Sequence, residues 1–237
     1  YDDFQSSSYD FEYCSWSNLP EDDFILQDDN PWVIGEFVWT GFDYLGEPTP
    51  YDEKWPSRSS YFGMIDLAGI PKDRYYLYRS RWNNKDETLH ILPHWNWKGR
   101  EGEKTPVFVY TNYESAELFV NGKSQGIQKK IKNGNPQERY RLMWNDVVYE
   151  PGTLKVIAFD KNGKAIAEKE IKTAEKPHQI MLEADRTKLT ADGEDISFVT
   201  VSVVDKNGVF CPTATNQLLF EVTGKGTYRA ACNGDAT

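Results

Sequence analysis

Cysteine is scarce: Cys14, Cys211 and Cys232 stand far apart along 237 positions. No close pair is left to build a thiolate metal site, and an odd, scattered set makes a poor disulfide framework. A Cys211–Cys232 pair stays open, since two strands can bring distant thiols into bridging geometry. Nowhere do eighteen apolar residues run together, so the sequence holds no membrane-spanning helix. The opening residues, YDDFQSSSYDFEYCSW, lack the basic start and apolar run of a secretory leader. They begin mid-pattern and without Met, as a fragment or a proteolysed product would. Positive charge is also short, with 27 Lys and Arg against 37 Asp and Glu and a net charge of −10. Nucleic acid, whose phosphates need a basic surface, is a poor partner for such a chain.

Aromatic residues are plentiful, at 14 % of the chain with eight Trp and fourteen Tyr. Such side chains build cores, and they also suit ligands with apolar faces and polar edges, such as sugars. The length allows two or three domains, and the text changes character twice. Residues 1–90 are aromatic and irregular, apart from one strand-like and one helix-like run. WVIGEFVW, Trp32–Trp39, is nearly continuous in apolar residues, as a strand buried on both faces should be. KDRYYLYRSRW, Lys72–Trp82, follows Pro71 and carries Tyr75, Leu77, Tyr78 and Trp82 as a helical stripe. A strand, a long loop and a helix resemble the last βα unit of something larger. Residues 91–175 alternate with period two in VFVYTN, AELFVNG, KSQGIQKKI, RYRLMWNDV and TLKVIAFDKNG, with Asn121-Gly122 and Asn162-Gly163 as hairpin signals. The same grammar returns over 176–237 in QIMLEADRTKLTADG, ISFVTVSVVDKNG and LLFEVTG, as in a second sandwich with strands missing. Residues 1–31 read as irregular loop text.

The chemically informative stretch is WTGFDYLGEPTPYDEKWPSRSSYFG, from Trp39 to Gly63. A loop this long after a buried strand usually has a function. In α/β barrels the active site is built at the C-terminal ends of the strands, where Trp39 would sit. Asp43 and Glu47 follow, then Tyr51, Trp55, Tyr61 and Phe62. Carboxylates accept hydrogen bonds from sugar hydroxyls, and flat rings pack on the C–H faces of a pyranose. The competing reading is that these aromatics only fill the loop's own small core. Glu36 reads as a structural carboxylate needing partners. His94 reads as a packed histidine or one at the rim of a site.

GEFVWTGFDYLGEPTPY followed by SRSSYFGMIDLAGIPKDRYYLYRSRW resembles the eighth barrel strand, active-site loop and final helix of glycoside hydrolase family 2 β-galactosidases. ILPHWNWKGREGE and AELFVNGKSQG resemble the β-sandwich that follows that barrel, and GKGTYRAACNGDAT resembles a strand of a later immunoglobulin-like domain. The fold so implied is multidomain and mostly β. Residues 1–90 would be the end of a (β/α)8 barrel, 91–175 a β-sandwich, and 176–237 an incomplete immunoglobulin-like β-sandwich.

The resemblance implies a retaining hydrolysis by two glutamates, one an acid/base and one a nucleophile. Glu12 and Glu21 lie outside any strand-borne setting, so both catalytic glutamates are expected upstream of Tyr1, leaving this chain inactive alone. Its expected role is substrate binding by Trp39, Asp43 and Glu47, with Trp39 as the floor under the sugar. Family β-glucuronidases carry Asn-x-Lys-Gly to grip a uronic carboxylate. Here Ser60-Tyr61-Phe62-Gly63 places Phe62 where that Lys would stand, which favours a neutral sugar. The alternatives are another family activity, β-mannosidase or β-glucuronidase, and a non-catalytic immunoglobulin-like carbohydrate-binding or adhesion array. For the last, Trp95, Trp97 and Trp144 are the ring candidates, though core use suits them better. The resemblance allows Mg²⁺ or Na⁺ near the site, a homo-oligomer, and a periplasmic or secreted location. No metal-ligand spacing is evident in the chain itself.

Overall fold

The computed structural model describes residues 8–49 and 51–234; the outermost ends of the first and third expected regions, 1–7 and 235–237, lie outside the described residues. At its centre are two antiparallel sheets. One has the order β1-β2-β5, from β1 (Leu89–Leu92), β2 (Val107–Thr111) and β5 (Leu142–Trp144). The other has the order β4-β3-β6-β7, from β3 (Ser115–Val120), β4 (Lys123–Lys129), β6 (Thr153–Phe159) and β7 (Ala165–Lys172). Leu89, Ile91, Val107, Val109, Leu142 and Trp144 of the first sheet meet Ala116, Leu118, Val120, Leu154, Val156 and Ala158 of the second in one core. Residues 89–172 thus form a β-sandwich, with alternate side chains of each strand turned inward.

The hairpin signals act as their chemistry requires. Asn121 and Gly122, at φ of 49° and 78°, turn β3 into β4 with Val120 opposite Lys123. Asp160 caps the Asn162-Gly163 turn between β6 and β7, accepting the Asn162 and Lys164 N–H groups at 2.8 and 2.9 Å.

The outer face of β1-β2-β5 is covered too, by helices. Phe108 and Tyr110 of β2 and Leu92 of β1 pack against Phe24, Leu77, Tyr78 and Tyr140. Helix α2 (Asp73–Trp82) supplies Leu77 and Tyr78, and α1 (Pro20–Asp29) supplies Phe24. A short α3 (Pro136–Tyr140), capped by Asn135 and Glu138, ends in Tyr140 just before β5. Helix α2 falls where its stripe predicts, although Trp82 is only about half covered.

Three expectations are corrected. Residues 1–31 are not all irregular, since α1 occupies 20–29. It has almost no apolar face and is seated by Phe24 and by a buried carboxylate. Glu21 pairs with Arg141, both fully buried, and Arg141 also donates to the Tyr9 and Asp10 carbonyls. Bidentate Arg139–Asp29 and the Arg81–Asp28 and Arg74–Asp10 pairs reinforce the same junction.

The second correction concerns Trp32–Trp39, which is not a strand buried on both faces. It forms no ladder, and Trp32, Ile34, Phe37 and Trp39 are exposed, because no described strand lies beside it. Third, the described residues of the last region, 176–234, form only a two-stranded sheet, β8 (Gln179–Ala184) with β9 (Val199–Val204). LLFEVTG is irregular and mostly exposed. All three cysteines are free thiols, Cys211 buried and Cys232 exposed, so the pairing left open does not form. No helix among the described residues is long and apolar enough to cross a membrane.

Candidate functional site

The loop after Trp39 is closed by its own two limbs. Residues 40–46 run alongside 58–65. Asp43 N–H donates to Ile65 O at 2.9 Å, Ile65 N–H to Gly41 O at 3.0 Å, Gly46 N–H to Arg58 O at 2.9 Å and Ser60 N–H to Tyr44 O at 2.9 Å. Contact between the limbs is so close at Gly63 that a Cβ there would come within 2.1 Å of the Asp43 nitrogen. Only glycine fits.

Asp43 is the clasp of this loop. Its carboxylate is buried, with Oδ1 accepting the Gly63 N–H at 2.8 Å and Oδ2 paired with Lys72 Nζ at 2.7 Å. Lys72, at the start of α2, also donates to Tyr61 O at 3.2 Å, so one ammonium ties both limbs to the helix. A buried carboxylate needs such compensation. The next two residues extend the joint. Asp73 meets His90 Nε2 of β1 at 2.6 Å, and Arg74 meets Asp10. The first turn of α2 therefore fastens the loop to the sandwich and to the N-terminal segment together.

The other two expected binding residues lie on the outer side of this clasp. Trp39 is 77 % exposed. Tyr44 meets its ring edge-on, with centroids 5.9 Å apart and planes at 75°, and the Tyr44 hydroxyl donates to Glu47 Oε2. Phe62, from the returning limb, lies against Tyr44 at 6.4 Å. Trp39, Tyr44, Glu47 and Phe62 thus share one surface, with Asp43 beneath it. Tyr51 and Tyr61 pack edge-on at 5.0 Å as the loop's inner filling, and Trp55 stands in solvent. The mini-core reading therefore applies to Tyr51 and Tyr61 but not to Trp39.

Glu36 is half-buried beside α1, with Oε1 lacking a hydrogen-bond partner among the described residues. Burial pushes its carboxyl above the usual range, the charge of Asp23 adds to this, and the nearby Gln27 amide opposes it without a formed hydrogen bond. Glu36, Gln27 and Asp23 line a cleft of about 320 Å³ with Trp32. A second cleft, about 470 Å³, lies between Met64 and the C-terminal half of α2. Neither contains Trp39, Asp43 or Glu47, because their surface is an open wall and not a hollow.

His94 is packed in the sandwich region. It stacks on Trp97 at 4.3 Å, and its Nδ1 accepts the Asn96 N–H at 3.2 Å. Burial draws its pKa below the usual value, against the opposing charge of Asp73. Trp95 and Trp144 are core residues whose indoles donate to Glu150 O and Gly126 O, and Trp97 packs at the core's edge under Arg100. Among the described residues no three His, Cys, Asp or Glu side chains are placed to share a metal ion. The Mg²⁺ or Na⁺ that the resemblance allows thus has no ligand set of that kind here.

Tyr44 and Lys72 are members of this candidate site that sequence reasoning missed. Tyr44 had a local signal, three residues before Glu47 across the turn at Gly46, whose φ is +102°. Lys72 had none, because it meets Asp43 only in the folded chain.

Comparison with known proteins follows the same outline. Residues 180–237 match the family model described as glycoside hydrolase family 2 C-terminal domain 5, and 102–167 match a domain of unknown function, DUF4982. The chain is 49 % identical over 233 residues to the β-galactosidase BoGH2A of Bacteroides ovatus, covering 98 % of the chain and 26 % of that protein. It is 37 % identical to a putative β-glucuronidase of Formosa agariphila, covering 83 % of the chain and 18 % of that protein. Among solved structures, a β-glycosidase from Bacteroides vulgatus superposes with a TM-score of 0.78 at 36 % identity, over 90 % of the chain and 26 % of that structure. The chain thus spans about a quarter of the length of the two Bacteroides relatives and under a fifth of the Formosa one.

Proposed function

Since this chain belongs to glycoside hydrolase family 2, matching its members along their C-terminal region, we propose that it is part of a retaining β-galactosidase and forms one wall of the sugar site. The exposed Trp39 ring is the floor on which the pyranose packs. Glu47 accepts hydrogen bonds from sugar hydroxyls. Asp43, whose two oxygens are already engaged by Gly63 and Lys72, acts on the sugar mainly by holding the loop that carries both. The two catalytic glutamates of the family lie outside residues 1–237, and the chain alone does not turn over substrate.

In the same reading, Trp32–Trp39, which forms no ladder among the described residues, becomes the last strand of a (β/α)8 barrel only when flanked by strands of the full-length protein, and α2 is the helix that follows it. Residues 1–90 and 91–175 are then the barrel end and a sandwich, and 176–237 an incomplete immunoglobulin-like domain of which β8 and β9 are the paired strands. The sandwiches buttress the barrel and provide surface for a homo-oligomer, in a protein of the periplasm or exterior.

The observation that carries the proposal is the joint placement of Trp39 and Glu47 on one exposed surface, above a loop clasped by a buried ion pair. Relatives named β-galactosidase and β-glucuronidase both match this chain. Phe62 favours the former. It sits against Tyr44 in the position expected for the uronate-gripping Lys, and Lys72, the nearby cation, is paired with Asp43.

The test is hydrolysis of a panel of nitrophenyl β-glycosides by the full-length protein, its Trp39→Ala variant and the 237-residue chain. The full-length protein should cleave the galactoside, Trp39→Ala should lose most of kcat/KM while staying folded, and the chain alone should be inert. Preference for the glucuronide would overturn the sugar assignment, and turnover by the chain alone would overturn the placement of the glutamates.

A further inference from the structure

We propose that Tyr44 is a positioning residue of this wall, holding the Trp39 ring and the Glu47 carboxylate in one arrangement that suits a neutral, hydroxyl-rich sugar. The inference rests on the reading of residues 39–63 as the sugar wall.

The backbone of Tyr44 is pinned on both sides. Its N–H donates to Ser60 Oγ at 3.1 Å, and its carbonyl accepts the Ser60 N–H at 2.9 Å and the Ser59 hydroxyl at 3.3 Å. Ser59 and Ser60 are fully buried, so these three hydrogen bonds are shielded from water. From that fixed base the side chain reaches three neighbours. Its ring lies edge-on to Trp39 and tilted against Phe62, and its hydroxyl donates to Glu47.

Glu47 itself is exposed and follows Gly46, so alone it would sample many rotamers. A bond from a phenol to a carboxylate is charge-assisted and directional, and it selects one of them. The phenol remains a donor throughout the neutral range. Its pKa is raised first by the bond to Glu47 and then by burial, with Trp39 opposing.

The bond also decides what Glu47 can offer. Oε2 is taken by Tyr44, while Oε1 receives no hydrogen bond from the described residues and is free to accept a hydroxyl. A fixed anion beside the Trp39 floor welcomes hydroxyl donors and repels a uronic carboxylate. Phe62 removes the cation that would reverse this preference, and its ring completes the cradle around Tyr44 instead.

Steady-state kinetics of the full-length protein on a nitrophenyl β-galactoside test the proposal, with Tyr44→Phe, Glu47→Gln, the double variant and Trp39→Ala. Tyr44→Phe keeps the ring and loses only the hydroxyl. It should raise KM about tenfold with kcat within about twofold, the mark of lost uniform binding. The double variant should be no worse than Glu47→Gln, because both changes remove one interaction. Glu47→Gln, with the phenol in place, should reproduce the rise in KM if Tyr44→Phe folds poorly.

Unchanged kinetics in Tyr44→Phe beside a crippled Trp39→Ala would overturn the role of Tyr44 and leave the wall standing. Additive losses in the double variant would likewise overturn it. If Trp39→Ala were also silent, the wall reading itself would fail, and the proposal with it.

Discussion

Two apolar runs of similar appearance, VFVYT at Val107–Thr111 and WVIGEFVW at Trp32–Trp39, meet opposite fates. The first is β2, buried at every position, with Val107 and Val109 in the inter-sheet core and Phe108 and Tyr110 under α1 and α2. The second forms no ladder and leaves Ile34 and Phe37 fully in solvent. An apolar run states that a segment can be buried on both faces. It does not state what does the burying. β2 has β1 and β5 on its flanks and a layer on each face, while 32–39 has Val38 against the helical cluster and little else.

That contrast is broken or sharpened most strongly by paired truncations, one in each run. In the 237-residue chain, Phe108→Ala should cost about 3–5 kcal/mol, the range for emptying a packed aromatic site. Phe37→Ala should change stability by no more than about 0.5 kcal/mol. Urea unfolding of both variants checks this, and equal losses would mean that 32–39 is buried in solution.

Next in size is the bolt that holds α1 over β2. Arg141→Met strands Glu21 as an unpaired buried carboxylate and should cost about 3 kcal/mol. Limited proteolysis should then cut within 9–29 first, while the sandwich core survives.

Lys72→Met leaves Asp43 with a single partner and should cost about 1–2 kcal/mol. Amide exchange should speed up over residues 41–46 and 59–65, with β2 unaffected.

A last effect is one of pH, at the end of β2. Lys130 Nζ donates to Thr111 O at 2.6 Å, and burial pushes the ammonium down to about 8 from its usual 10.5. Between those values the unfolded chain holds the proton and the folded one does not, so stability should rise with pH across that window. Below about 8 the penalty is constant. Lys130→Met should abolish the rise, as read from unfolding midpoints at pH 8 and pH 10.

Local signals carried much of the sandwich. Asn121-Gly122 and Asn162-Gly163 became turns because both backbones need positive φ at glycine or asparagine, a demand met within two residues. Period-two alternation placed β3 and β6, whose inward residues Leu118, Leu154 and Val156 are fully buried. Helix α1 was invisible for the opposite reason. Its seat depends on Glu21 meeting Arg141, 120 residues away, and no window of sequence contains both. In the candidate site, Trp39 and Glu47 were legible as an aromatic and a carboxylate in a long loop. The clasp beneath them was not, since Asp43 meets Lys72 only after the loop has folded back on α2.

By itself the sequence determined the mostly-β character, the hairpin turns, helix α2 and the aromatic and acidic composition of the loop after Trp39. These follow from backbone sterics and side-chain periodicity acting over a few residues. Tertiary structure alone decided which apolar run is buried, that Asp43 clasps while Trp39 faces outward, and that Tyr44 joins Trp39 to Glu47. Burial and pairing depend on neighbours distant in sequence, and folding brings those neighbours together.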